Sequence, residues 1–436
     1  MLNIIPHPDK KSWSSLLQRP LIDYSTIDPI VKHIMDDVRK KGDKALYKYS
    51  MQFDKVQLKM LMVPQKDIYS AASLISPKLS KAIDIAAKNI FAFHSAQYQR
   101  LLKLNTMPGV CCWQKAVAIE KVGLYVPGGT ASLFSTVLML GIPAVIAGCK
   151  EIVLCTPPAK NGSVDPAILY AAWKVGINKI FTVGGVQAIA AMAYGTESIP
   201  ATDKIFGPGN QYVTAAKQLA ARQQVAIDMP AGPSEVAIMA DNSCKPAFVA
   251  ADLLSQAEHG NDSQVLLVTT SKSLVDKVIK QLKYQIDSLP RKKFARQSLK
   301  NSKAIIVKNT QTMIDLVNTY APEHLIISLK NYAEVAEKIV NAGSVFLGNY
   351  TPESSGDYAS GTNHTLPTNG YARMYSGVNL DSYMKKITFQ ELSPAGLKNI
   401  GPHLEVMALT EQLHAHANAV SIRLQSVKKK KNERAK

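Results

Sequence analysis

The sequence has no uninterrupted apolar run of the roughly 20 residues that a membrane span needs, so a membrane partner is not expected. Cysteine is sparse. Cys111, Cys112, Cys149, Cys155 and Cys244 form an odd set without a C-x-x-C pair, which suggests neither a disulfide framework nor a thiolate zinc site and points to reduced, mostly buried thiols. The first residues, Met1 to Lys11, lack the basic-then-apolar order and small-residue cleavage site of a secretory signal, so cytoplasmic residence is the expectation. No fixed-period repeat or low-complexity linker is present. Both the G-x-G-x-x-G dinucleotide fingerprint and the H-E-x-x-H helix of zinc hydrolases are missing.

Acidic residues are also scarce: 33 Asp and Glu face 51 Lys and Arg, a formal net charge of +18. Such an excess can mark an anionic partner such as nucleic acid. Here the basic residues are spread along the chain, and the one dense cluster, Lys428 to Lys431 with Arg434 and Lys436, has no interleaved aromatics for base stacking. A solvated, frayed end accounts for it, and nucleic acid is not expected as a partner. With 46% hydrophobic and 19% charged residues the chain is that of a folded globular protein. At 436 residues it is too long for one ordinary core, so two principal lobes are expected.

Residues from about 28 to 104 read as helices. Ile30, Val31, Ile34, Met35 and Val38 mark one apolar face, and Leu74, Leu79, Ile83, Ala86 and Ile90 another. From about 116 short β-rich runs end in Gly or Pro and are followed by helical stretches: Ala118 to Val126, Glu151 to Cys155, Lys179 to Val183, Gln264 to Thr269, Ala304 to Val307 and Leu325 to Ser328. Strands alternating with helices predict an α/β fold with parallel sheets. A change of sheet is expected near 225 to 240, and beyond about 380 the chain reads as helical again, ending in Leu409 to Leu424.

Glycine-rich turns after strands, Gly128-Gly129, Gly184-Gly185 and Gly207-Pro208-Gly209-Asn210, let a backbone approach a ligand whose anionic part faces a helix N-terminus, although ordinary turn chemistry is the alternative. Gln256 and His259, three apart in the last turn of a helix beginning near Pro246, share a face and can reach one metal ion. Glu323 and His324 are an adjacent acid and imidazole, two potential proton carriers. Asp357 and His364 lie in a polar, glycine-broken stretch typical of a site loop. Glu411, His414 and His416 follow near the C-terminus; on one continuous helix Glu411 and His416 would point roughly 140° apart, one toward metal and the other toward substrate. Gln, His, Asp and His make a nitrogen-and-oxygen set suited to zinc; the alternative is unrelated surface histidines.

These segments, in this order, resemble the histidinol dehydrogenase family over about residues 25 to 425. The likeness rests on Val122 to Gly129, Lys204 to Asn210, Asp228 to Glu235, Asp252 to Gly260 and the two segments carrying His324 and His364. The resemblance implies Zn2+ held by Gln256, His259, Asp357 and His416, mainly orienting the substrate. It implies His324 as the base for the hydroxyl proton and Glu323 as the activator of water. Substrate contacts carry over to Ser234, His364 and Glu411, and NAD contacts to Tyr125, Gln187 and Asn210, all expected on the loop sides of strand ends, where an α/β sheet normally places ligands.

It further implies two incomplete Rossmann-like lobes plus small N-terminal and C-terminal helical appendages, assembled as an intertwined homodimer with shared active sites. The boundaries expected are 1–25 for the N-terminal appendage, 26–124 with 236–378 for the lobe carrying zinc and catalytic residues, 125–235 for the NAD-binding lobe, and 379–436 for the C-terminal appendage reaching the partner subunit. The implied reaction is oxidation of L-histidinol to L-histidine through L-histidinal, with NAD as acceptor. A sister dehydrogenase of another small polar alcohol, such as a hydroxy-sulfonate, is the nearest rival; a basic nucleic-acid-binding protein and a metal-dependent hydrolase are the rivals from other classes.

Overall fold

The computed structural model describes residues 2–19, 24–98, 102–128, 132–223, 225–230 and 232–433. Gly129, Ala231, Arg434 and Lys436, and the side chains of Lys428 to Lys431, lie outside the described residues. The chain divides into two units: residues 1–97 with 119–383, and residues 98–118 with 384–436.

The larger unit holds two parallel sheets of the same topology. One has Lys121–Tyr125 at its centre, flanked by Glu151–Thr156 and then Lys179–Thr182 on one side, and by Lys204–Phe206 and then Ala226–Ile227 on the other. The second repeats the pattern around Glu235–Ala240, with Gln264–Thr269 and Lys303–Ile306 on one side and His324–Ser328 and Ser344–Leu347 on the other. In chain order both read 3-2-1-4-5, the doubly wound arrangement in which the strand order reverses beside the first strand. Glu235–Ala240 and Gln264–Thr269 are buried at every position, which suits strands covered by helices on both faces. The change of sheet falls between Ile227 and Glu235, as the sequence predicts.

Helices cover both sheets, and their packing redraws the expected boundaries. Ile27, Val31, Ile34, Met35 and Val38 of the helix Tyr24–Lys41 join Tyr125, Val153 and Phe181 in one core. Ile83, Ala86 and Ile90 of Pro77–Ser95 join Val122 and Leu124 on the opposite face of the same sheet. The helices of residues 24–95 therefore belong with the 121–227 sheet and not with 236–378, because that sheet is where their apolar stripes are buried. The N-terminal segment is likewise no separate appendage: Asn3–Pro6 pairs in parallel with Lys303–Ile306, and Trp13 and Leu17 enter the core under the second sheet.

The smaller unit contains a three-stranded antiparallel sheet, Met384–Leu392, Val110–Ala118 and Lys103–Met107, and the helices Pro394–Thr410 and His414–Glu433. It thus adds strands where helix alone was expected beyond 380, and it draws in residues 103–118. The run Ala118 to Val126 is accordingly split between strands ending at Ala118 and beginning at Lys121. All five cysteines are free, with Cys155 and Cys244 buried and the other three half-buried. No helix among the described residues is long and apolar enough to cross a membrane.

Candidate active site

The densest cluster of ionisable groups lies at the amino-terminal edge of the second sheet. His324 opens its strand and is 3% exposed, opposite Val236 on one side and Ser344 on the other. Its Nδ1 lies 3.6 Å from Glu323 Oε2 and 3.9 Å from Glu353 Oε1, and its Nε2 lies 3.4 Å from Asp357 Oδ1. Gln256, at the end of the helix Pro246–Ala257, sets its amide Nε2 3.3 Å from Glu323 Oε2 and 3.4 Å from His324 Nδ1. With Nε2 directed at that pair, the buried Gln256 Oε1 is left with no hydrogen-bond partner among the described residues. His259 follows beyond the helix end, exposed, its charge acting on Asp357.

Burial alone would disfavour the imidazolium of His324, yet the carboxylates of Glu323 and Glu353, with Asp357 bonded to Nε2, raise its pKa well above the ordinary histidine value. Burial pushes Asp357 the other way, but His324, His364 and His259 outweigh it and hold its carboxyl below the usual range. Glu353, 1% exposed with both oxygens unpartnered among the described residues, is pushed up to about 8 by burial. His364 is depressed by burial; its Nδ1 sits 2.9 Å from the Asp357 carbonyl and its Nε2 3.0 Å from the Thr136 hydroxyl. Thr136 belongs to Phe134–Ala147, which packs on the other sheet, so His364 ties the two sheets of the larger unit together. Ser234, half-buried, accepts from the Gln264 amide and immediately precedes Glu235.

The expected NAD residues gather at the carboxyl end of the first sheet. Tyr125 closes the central strand, and its hydroxyl accepts the Gly185 N–H at 3.0 Å. Burial raises the phenol to about 12, so it stays neutral. Gln187 is buried in the first turn of Gly185–Tyr194, with Oε1 unpartnered among the described residues. Asn210 caps Gln211–Ala221, accepting from the Tyr212 and Val213 amides at 3.1 Å. Gly207, at φ +126°, lies so close to the Tyr125 carbonyl that a Cβ would sit 2.0 Å from that oxygen. Lys217, paired with Asp228, donates to the Gly207 carbonyl and fixes this turn.

The larger unit therefore brings together Ser234, Gln256, His259, Glu323, His324, Asp357 and His364, and separately Tyr125, Gln187 and Asn210. Glu411 and His416 belong to the smaller unit, where both are exposed. They do not share a helix: Pro394–Thr410 ends there, Gln412 is left-handed at φ 59°, and Leu413 N–H bonds back to Ala408. This αL cap replaces the single helix on which their directions were judged. Tyr125, Gln187 and Asn210 lie at carboxyl ends of their sheet, whereas Glu323 and His324, for which no strand end was expected, lie at the amino edge of theirs. At its carboxyl end, beside the reversal of strand order, Asp241 instead binds the backbone amides of Lys330 and Ser243.

The family model for histidinol dehydrogenase matches residues 17–424. The chain belongs to the histidinol dehydrogenase family. It is 60% identical over 428 residues to the histidinol dehydrogenase of Bacteroides thetaiotaomicron, covering 98% of this chain and 100% of that one. It is 50% identical to the chloroplastic histidinol dehydrogenase of Arabidopsis thaliana, covering 95% and 90%. The crystal structure of histidinol dehydrogenase from Elizabethkingia anophelis superposes with a TM-score of 0.96 at 52% identity, covering 98% and 99%. As a member of the histidinol dehydrogenase family the chain is an NAD-dependent oxidoreductase of amino-acid biosynthesis, and the nucleic-acid-binding and hydrolase alternatives are not favoured.

The structure adds residues to the site that sequence reasoning missed. Among the described residues, the compact set of potential metal ligands is His324, Glu353 and Asp357, which shares only Asp357 with the expected four. Glu353 stands four residues before Asp357 in Glu353–Tyr358, a spacing that puts both on one helix face and could have revealed it. Glu235 was visible only as part of a family run, and Arg19, its ion-pair partner, gave no signal.

Proposed function

We propose that this enzyme carries L-histidinol to L-histidine through L-histidinal in two successive hydride transfers to NAD, with Glu323 and His324 as its proton carriers. The observation that carries this reading is the buried Glu323–His324 pair, oriented by Gln256 and facing Asp357. In the first half-reaction His324 takes the hydroxyl proton as hydride leaves the alcohol carbon for NAD, giving the aldehyde. In the second, Glu323 takes a proton from water as its oxygen bonds to the aldehyde carbon, and the proton His324 gained passes to the former carbonyl oxygen, which gives the hydrate and returns His324 to its neutral form. His324 then deprotonates the resulting hydrate as its hydride passes to a second NAD.

Gln256, His259, Asp357 and His416 are the residues to hold Zn2+. The orphaned buried Oε1 of Gln256 and the ionised Asp357 support a cation there, since a buried acceptor left unpaired is costly. Bound zinc would orient the substrate through its imidazole and amino nitrogens. Ser234, His364 and Glu411 complete the substrate contacts, while Tyr125, Gln187 and Asn210 receive NAD. Glu411 and His416 lie in the smaller unit, and the family resemblance has them complete the partner subunit's site in a homodimer.

The test is NADH release by zinc-loaded protein given L-histidinol. The expected result is two NADH per histidine, abolished by chelation and by His324→Ala. No NADH from folded, zinc-bound enzyme would transfer the proposal to another small polar alcohol, with hydroxy-sulfonates the first to try.

A further inference from the structure

Glu323 and His324 share a neighbour that touches both through its main chain. The Glu235 N–H donates to Glu323 Oε2 at 2.9 Å, and the Glu235 carbonyl oxygen lies 3.4 Å from His324 Nδ1. Whatever fixes Glu235 therefore bears on the distance between the two proton carriers. Its side chain is 2% exposed and would be an isolated buried charge on its own.

The partner comes from the N-terminal segment. The Arg19 guanidinium makes two parallel bonds to Glu235, Nε to Oε2 at 2.5 Å and Nη2 to Oε1 at 2.8 Å. Nη2 also donates to the Tyr320 carbonyl at 2.8 Å, and the guanidinium lies 4.0 Å over the Tyr320 ring. The Tyr320 hydroxyl in turn donates to Gln264 Oε1 at 2.7 Å and lies 3.2 Å from Glu235 Oε2. Tyr320 ends the helix Thr310–Tyr320, from which the chain passes through a left-handed Ala321 and Pro322 directly into Glu323. Arg19 thus grips both sides of the pair: the strand that faces it and the turn that delivers it. Only a planar fork can make the bidentate bond and the ring contact together, so lysine is no substitute.

We propose that Arg19 is a positioning residue for the dehydrogenase reaction, acting through Glu235 and Tyr320 to hold Glu323 and His324 at their working separation. The inference rests on the reading of Glu323 and His324 as the proton carriers. The N-terminal segment then serves catalysis as well as extending the second sheet. Arg19 also borders an open cavity of about 440 Å³, lined by Gln18, Gln264, Lys300, Ser302 and Lys303. A small guanidinium ion can reach the space that Arg19 vacates, so the role can be tested by chemical rescue.

The experiment measures steady-state kcat and KM of the full-length zinc-loaded enzyme, with L-histidinol and with L-histidinal, for Arg19→Ala, Arg19→Lys, Glu235→Gln and the double variant Arg19→Ala/Glu235→Gln. Arg19→Ala is expected to lower kcat about 10- to 100-fold, the effect of misplacing reacting groups by a fraction of an ångström to one ångström, with KM for histidinol changed less than about 3-fold since Arg19 touches no substrate ligand. Guanidinium chloride at non-denaturing concentration should restore kcat several-fold, Arg19→Lys should remain impaired, and the double variant should be no worse than the weaker single variant. Wild-type kcat in folded Arg19→Ala overturns the proposal, as does a loss that guanidinium leaves unchanged and that multiplies in the double variant. If Arg19→Ala does not fold, Arg19→Lys decides, wild-type kcat there being the negative result. Unchanged activity in Glu323→Gln and His324→Ala would instead sink the assignment of the proton carriers, whatever Arg19 does.

Discussion

Glu353 shows how burial and charge act on a single side chain. Its carboxyl lies beside His324, has no hydrogen-bond partner among the described residues, and is held protonated up to about pH 8 by burial. The folded chain therefore keeps a proton that the unfolded chain releases at the ordinary carboxylate value. Its favourable contribution is fully present below that value and is lost as pH rises through about 8, at a rate no greater than about 1.4 kcal/mol per pH unit. Glu353→Gln, which carries no proton to lose, should flatten this decline. Denaturant midpoints of chelated protein at pH 6 and pH 9 check it; parallel declines in the two proteins would show that Glu353 ionises normally. Glu353 was within reach of the sequence, four residues from Asp357 on a helix. Arg19 was not, because its partner lies 216 positions away and only folding reveals the pair.

At the scale of elements, Gln256, His324 and Asp357 are delivered by a helix or by the start of a strand. The helix Pro246–Ala257 carries Gln256 on one turn while Val249, Ala250, Leu253 and Leu254 anchor it in the core of the second sheet. Leu253→Ala removes a fully buried side chain there and should cost about 2–5 kcal/mol, read as a lower denaturant midpoint, with kcat per folded molecule nearly unchanged. A large fall in kcat without loss of stability would mean that the helix places Gln256 less rigidly than its packing implies. Strands such as Gln264–Thr269 were legible in the sequence because they are continuous apolar runs bounded by turns. Lys204–Phe206 and Ala226–Ile227 were not, because three or two residues carry no period. Met384–Leu392 was read as helical; its lysines, glutamine and glutamate hid a strand whose place is fixed by pairing with Val110–Ala118, more than 260 residues earlier in the chain.

At the scale of the whole molecule, the proposal of shared sites has a numerical consequence. If His324 of one subunit works with His416 of the other, His324→Ala and His416→Ala proteins are each inactive, yet a mixed dimer holds one site with both residues intact. Random re-association of equal amounts should then restore about a quarter of wild-type activity, since half the dimers are mixed and each has one working site of two. Activity that stays at background after exchange of subunits has been verified would show that each chain completes its own site.

Sequence alone determined the α/β class and a change of sheet near residues 225 to 240, because these rest on local periodicity and on turn chemistry, and its motifs several residues long carried the family resemblance. It could not determine which sheet the helices of residues 24–95 cover, since an apolar stripe states that it must be buried and not against what. Nor could it place Glu323 and His324 at the amino edge of their sheet, or join Arg19 to Glu235. Those were decided by the tertiary structure, in which parallel strands set residues from distant stretches of chain side by side and a buried charge has to find its partner wherever packing puts one.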